Sequence, residues 1–168
     1  MKSAVHTGQL ASAEHTHAAG RALGEALLRL VVDQPLLIAL RGELGAGKTT
    51  FVGGLMAALG HLGPVRSPTY TLIEPYELHG RDIYHLDLYR LTDPSQLEEL
   101  GVRDLLQPHA VLLVEWPERA GEALSVPDLT VSLVYPSSGS EGRVLSLIAS
   151  TESGQQLIDS AYFSATSG

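Results

Sequence analysis

Apolar residues recur at helical spacing over residues 12–32, where Ala19, Leu23, Ala26, Leu27 and Leu30 share one face with Glu and Arg between them. The pattern then changes. Residues 36–40 read Leu-Leu-Ile-Ala-Leu, an unbroken apolar run of the length and character of a strand buried in a parallel sheet. A second helix is predicted over residues 50–59, closed by the glycine-bounded segment 60–63. Residues 70–73 and 83–89 read as strands, joined across the turn-like His79-Gly80-Arg81-Asp82. Asp93-Pro94-Ser95-Gln96 opens a helical stretch that runs to Leu106: an acidic cap, Pro at the first helical position, and Gln three residues after the cap. Residues 110–114 are a second all-apolar strand, ending at Glu115-Trp116-Pro117. Two more strands, 129–135 and 143–148, flank Ser137-Ser138-Gly139-Ser140 as a hairpin. A short helix over 154–162 then precedes a Ser/Gly tail, 163–168, expected to be disordered.

Apolar strands followed by helices predict a three-layer α/β fold with a mostly parallel central sheet and a C-terminal hairpin. With 168 residues, 44% of them hydrophobic, the chain is long and apolar enough for one cored domain spanning 1–168. No internal repeat or dividing linker interrupts it.

The segment between the first strand and the second helix carries the chemistry. Gly42-Glu43-Leu44-Gly45-Ala46-Gly47-Lys48-Thr49 is a complete G-x-x-x-x-G-K-[ST] phosphate-binding loop, followed by Thr50, in the strand–loop–helix context that motif needs. Glycines let backbone N–H groups close around phosphate oxygens, and the helix N-terminus adds its positive dipole end. In this reading Lys48 bridges the outer phosphates and the Thr49 hydroxyl ligates Mg²⁺. Lys48 is one of two lysines, the other being Lys2; the remaining basic residues are arginines.

Charge narrows the partners. The formal net charge is −8, and Arg41, Arg66, Arg81, Arg90 and Arg103 are spread singly, so strong direct nucleic-acid binding by this chain alone is not expected. There is no apolar run of membrane-spanning length and no Cys; a cytoplasmic protein is the default expectation.

A P-loop enzyme also needs a carboxylate at the end of a neighbouring strand to help hold Mg²⁺. Glu115, directly after four aliphatics, is the better candidate, the alternative being an exposed loop glutamate. Asp87 shares a strand face with His85, opposite Leu86 and Leu88. That pair either positions water or metal, or is a polar face in solvent. Ser67-Pro68-Thr69 is either a turn into a strand or a switch-like segment that carries hydroxyls toward the γ-phosphate. Trp116 packs near the nucleotide or serves as a half-buried anchor. The chain contains no Asn and no second internal Lys, so the usual guanine-specifying Asn/Thr-Lys-x-Asp loop is absent and ATP is the expected nucleotide.

Gly42–Thr50, Ser67-Pro68-Thr69-Tyr70-Thr71, His85-Leu86-Asp87-Leu88-Tyr89-Arg90 and Val114-Glu115-Trp116-Pro117 together resemble the TsaE (YjeE) family in order and approximate spacing, from about residue 23 to about residue 143. The resemblance implies an ATPase required for threonylcarbamoyladenosine formation in tRNA beside the anticodon. It implies partners TsaB and TsaD, which perform the transfer, and slow ATP hydrolysis that resets their complex between turnovers. It places Mg²⁺ on Thr49 and Glu115, the motif carboxylate on Asp87, and Glu118 near the nucleotide. His17 is a loose candidate for the base, and Arg143 the nearest match to a family arginine.

Two other readings share the phosphate loop. A small-molecule or nucleotide kinase would use Asp87 as the acceptor's base and Arg90 or Arg103 as a phosphate clamp. Such kinases usually bring an arginine-rich lid, and here only Arg119 lies between Glu115 and Arg143. A nucleotide sensor without turnover is disfavoured by intact Thr49, Asp87 and Glu115.

Overall fold

The computed structural model describes residues 5–166, with side chains to residue 161. Among these, in chain order, lie β1 (Val5–Leu10), α1 (Ala13–Arg29), β2 (Leu36–Arg41), α2 (Lys48–Ala58), β3 (Ile73–Leu78), β4 (Arg81–Asp87), α3 (Ser95–Glu99), β5 (Ala110–Glu115), β6 (Leu129–Val134), β7 (Arg143–Ala149) and α4 (Glu152–Thr166), with 3₁₀ turns at Val102–Leu105 and Pro117–Ala123. The strands form one sheet in the order β1-β7-β6-β2-β5-β4-β3. The centre, β6-β2-β5-β4, is parallel, and antiparallel pairs β1/β7, β7/β6 and β4/β3 finish both flanks.

Alternation divides the core. Leu36, Ile38 and Leu40 of β2 pack with α1, α2 and α4, whereas Leu37 joins Leu86, Leu112 and Val114 under the thinner layer of α3 and the 3₁₀ turns. β2 and β5 are covered on both faces, which is why their sequences are continuous apolar runs. The three-layer expectation holds, with unequal outer layers.

The α1–α2 contact determines where the phosphate loop sits. A side chain at Gly20 would meet the Phe51 carbonyl oxygen at 1.9 Å, and one at Gly54 would meet the His17 carbonyl oxygen at 1.9 Å, so the two helices touch backbone to backbone. Ser12 caps α1, its hydroxyl accepting from the His15 N–H at 3.3 Å. At the other end the Arg81 guanidinium of β4 donates to the Leu27 and Leu30 carbonyls.

Several boundaries differ from expectation. Residues 70–72 are not strand: Leu72 turns at φ 64° and β3 starts at Ile73. β3 contains Pro75, which suits an edge strand that need not donate to a neighbour. Its hairpin to β4 closes through His79 and Gly80, both at positive φ, a tighter turn than expected. α2 begins at Lys48, and α3 is a single short turn whose start is held by Asp93 and Gln96: Ser95 N–H donates to Asp93, and Asp93 N–H to Gln96. α4 continues to Thr166, past the expected start of the tail; 167–168 lie outside the described residues.

Candidate functional site

Between β2 and α2 the chain turns through the glycine loop. Gly45 and Gly47 adopt φ of 79° and 106°, left-handed conformations that a side chain would strain. Such a loop turns N–H groups inward to make an anion nest and leaves carbonyls facing out. Those carbonyls have dedicated partners. Arg143 donates from Nε to Ala46 O and from an amino nitrogen to Gly45 O, each at 3.1 Å, while its guanidinium lies 4.1 Å from the Tyr135 ring centroid. The Tyr135 hydroxyl donates to Leu44 O at 3.2 Å. The C-terminal hairpin thus props the loop from outside.

Lys48 is 5% exposed. Its ammonium donates to the Gly42 and Glu43 carbonyls and rests 4.2 Å from the Trp116 ring centroid. Burial holds its pKa below the ordinary lysine range, opposed by the negative charges of Glu115, Asp87 and Glu118. A bound polyphosphate needs the charged form. As pH rises through the lowered folded pKa, affinity is expected to fall, and to do so below the pH at which an exposed lysine would lose its proton. Stability of the ligand-free fold moves the other way: it rises over that window as the desolvated charge is discharged, up to the unfolded pKa. Nucleotide titrations across alkaline pH, beside unfolding curves without nucleotide, check both signs.

Opposite the loop, Thr49 Oγ1 donates to Glu115 Oε1 at 3.1 Å and Oε2 at 3.2 Å. Glu115 ends β5 and is 2% exposed, so the exposed-loop alternative fails. β4 sets Asp87 directly beside it in register. Asp87 accepts from the Ser67 hydroxyl and, at 3.0 Å, from the Tyr89 N–H. His85 is not in solvent either: it is wholly buried, with Nε2 2.7 Å from Glu115 Oε2.

All of these groups but His85 border a cavity of about 400 Å³ that takes in Leu44–Thr50, Ser67, Thr69, Asp87 and Glu115, with Tyr89, Arg90 and Trp116 at its side. Trp116 stands at φ 58°, a left-handed conformation costly for an aromatic residue, which turns the chain away after β5. A second cavity of about 420 Å³ shares Gly45–Gly47 and Thr50 and reaches Ser12, Thr16 and Arg143.

The chain's sequence matches the family model described as "Threonylcarbamoyl adenosine biosynthesis protein TsaE" over residues 10–144. The chain belongs to the TsaE family. A TsaE protein of Haemophilus influenzae is 42% identical over 139 residues, 83% of this chain and 86% of that one; one from Treponema pallidum is 36% identical over 123 residues, 73% and 86%. The solved structure of Bacillus subtilis YdiB shares the fold, with TM-score 0.76, 24% identity and coverage of 98% of this chain and 99% of that one. The fold is that of a P-loop NTPase.

Most TsaE-motif positions converge on the first cavity. Gly42 and Glu43 act through their carbonyls on Lys48 rather than as lining. Two expected contributors stand apart. Glu118 is exposed on the 3₁₀ turn outside the lining, though its charge still acts on Lys48. His17 is exposed on α1 and lines neither cavity; Ser12 and Thr16, at the start of the same helix, do. Tyr89 and Tyr135 were not singled out from sequence, and Arg143 was linked to no partner, because their contacts are to backbone or through space and leave no local motif.

Oxygen donors are what Mg²⁺ takes, and a hydroxyl hydrogen-bonded to a buried carboxylate at the mouth of a phosphate loop supplies them. Among the described residues no cluster of three or more His, Cys, Asp or Glu is placed to hold a metal. The donor set fits an ion shared with phosphates and water.

Proposed function

We propose that this chain is a Mg²⁺-dependent ATPase, a single P-loop domain required for threonylcarbamoyladenosine modification of tRNA, which hydrolyses ATP to reset a TsaB–TsaD transfer complex. The observation that carries the catalytic part is the Thr49–Glu115 contact at the loop mouth with Asp87 alongside. Lys48 swings from its carbonyl partners to the outer phosphates. Thr49 and Glu115 would hold Mg²⁺, which would supply neutralising charge to those phosphates. Asp87, oriented by Ser67 and the Tyr89 N–H, accepts a hydrogen bond from the attacking water. The cavity that shares Gly45–Gly47 and Thr50 takes the base and sugar, and the missing Asn/Thr-Lys-x-Asp loop favours adenine.

Glu115→Gln and Asp87→Asn are expected to lower hydrolysis about 10²–10³-fold with much smaller changes in ATP affinity, because groups that hold a metal or orient water act chiefly on the transition state. Single-turnover phosphate release beside calorimetric affinity checks this; wild-type hydrolysis by either variant removes that residue's role.

The family and its relatives' names support the tRNA-modification setting, and the net charge of −8 favours docking on protein over bare RNA. Among the described residues no helix is long and apolar enough to cross a membrane, which is compatible with a cytoplasmic site of action. The deciding experiment is steady-state phosphate release with and without TsaB and TsaD at low and moderate salt. Turnover alone should be slow, since P-loop enzymes without an arginine finger can run about 10³–10⁵ slower, and the pair should raise it. No stimulation and no nucleotide-dependent complex on size exclusion would remove the TsaB–TsaD reading.

A further inference from the structure

His85 has no part in the mechanism above, yet it touches the carboxylate on which that mechanism depends. It is 0% exposed, with Nε2 2.7 Å from Glu115 Oε2. A carboxylate only accepts, so Nε2 carries the hydrogen. Nδ1, equally sealed from solvent, meets no hydrogen-bond partner among the described residues, so no acceptor draws that hydrogen to the other side of the ring. A fully enclosed ring with one unpaired nitrogen is a poor choice for packing alone, where a leucine of similar size would bury no polar atom. Fold stability therefore does not account for a histidine here. The contact to Glu115 does.

Resting on the metal reading above, we propose that His85 is a positioning residue: its Nε2–H fixes the Glu115 carboxylate beside Thr49, so that a divalent cation arriving with nucleotide meets oxygens already aimed. Among the described residues Glu115 has two side-chain hydrogen-bond partners, the Thr49 hydroxyl and the His85 ring. A hydroxyl can give a lone pair to the cation and still donate its hydrogen, so Thr49 and His85 hold the carboxylate from two sides, and only His85 does so without touching the ion. The same hydrogen bond puts the hydrogen on Nε2, which faces Glu115, and leaves the lone pair on the sealed Nδ1, so the ring does not compete as a nitrogen ligand and the donor set stays all oxygen, the set Mg²⁺ takes in preference to zinc-type sites.

The test follows binding of N-methylanthraniloyl-ADP while Mg²⁺ is titrated from none to saturation, in the full chain carrying His85→Leu, His85→Gln or His85→Asn. Gln places an amide N–H where Nε2 stands, and Asn places one where Nδ1 stands. His85→Leu should move the Mg²⁺ midpoint up by about 10–100-fold, the usual effect of losing an orienting partner, with metal-free nucleotide affinity unchanged. His85→Gln should return the midpoint to within about threefold of wild type on the same reasoning, and His85→Asn should not. A wild-type midpoint in His85→Leu, or equal recovery by Asn and Gln, overturns the proposal. Glu115→Gln serves as the reference. If it keeps the full Mg²⁺ response, the metal site itself is wrong and this role falls with it; if it loses the response while the three His85 variants keep it, only the role of His85 falls. Urea unfolding reports any variant that does not fold, and the Gln–Asn comparison decides the question if the Leu variant is one of them.

Discussion

Lys48→Ala is expected to abolish productive ATP binding while leaving the chain folded. In the nucleotide-free protein the ammonium satisfies two loop carbonyls and rests on Trp116, but burial disfavours its charge, so the fold gains little from it. A triphosphate, by contrast, loses its main fixed counter-charge in a partly desolvated site. That loss is on the order of 2–4 kcal/mol, or roughly 30–1,000-fold in affinity. Calorimetry measures the affinity and urea unfolding the fold. Unchanged affinity would mean that the loop does not bind phosphate through Lys48.

Gly20→Ala should be strongly destabilising. The new Cβ lands 1.9 Å from the Phe51 carbonyl oxygen, a backbone atom in the first turn of α2 that no rotamer change can clear. The helices must separate, which costs about 3 kcal/mol or more even after alanine's better helix propensity is credited. A chain of this size should lose roughly 6–12 °C in melting temperature. Gly53→Ala is the internal control. It lies beside Gly54 on α2, but the nearest atom to its Cβ is a His17 ring carbon at 3.9 Å, so the propensity gain of up to about 1 kcal/mol should appear as stabilisation. Because α2 opens with Lys48 and Thr49, Gly20→Ala should also weaken nucleotide binding. A melting temperature for Gly20→Ala equal to that of Gly53→Ala would contradict the backbone contact.

The elements that could be read in advance are those whose signal is local. β2 and β5 announce themselves as apolar runs because both faces are covered, and the phosphate loop because its geometry demands glycine, lysine and threonine at set offsets. Alternation along β4 correctly put His85 and Asp87 on one face, but not the depth at which His85 lies, which depends on what covers that face. β1 escaped notice because an edge strand that alternates between exposed and half-buried positions offers few apolar residues to count. β3 was misplaced because Pro75 weakens any strand signal, although an edge tolerates it. Arg143 could not be tied to the loop from sequence, since its partners are backbone carbonyls 97 and 98 residues away. No pattern in the chain records which way a carbonyl points.

Trp116 is the chain's sole tryptophan, and the Lys48 ammonium rests 4.2 Å from its ring, with the Tyr89 ring 5.0 Å away on centroids. A cation held over an indole alters the electric field across it. When phosphate draws that cation away, the emission of the one fluorophore excited at long ultraviolet wavelength changes, with no dye attached and no background from a second indole. The protein therefore carries its own optical gauge of loop occupancy, and stopped-flow traces of the unlabelled chain can time the arrival and departure of nucleotide.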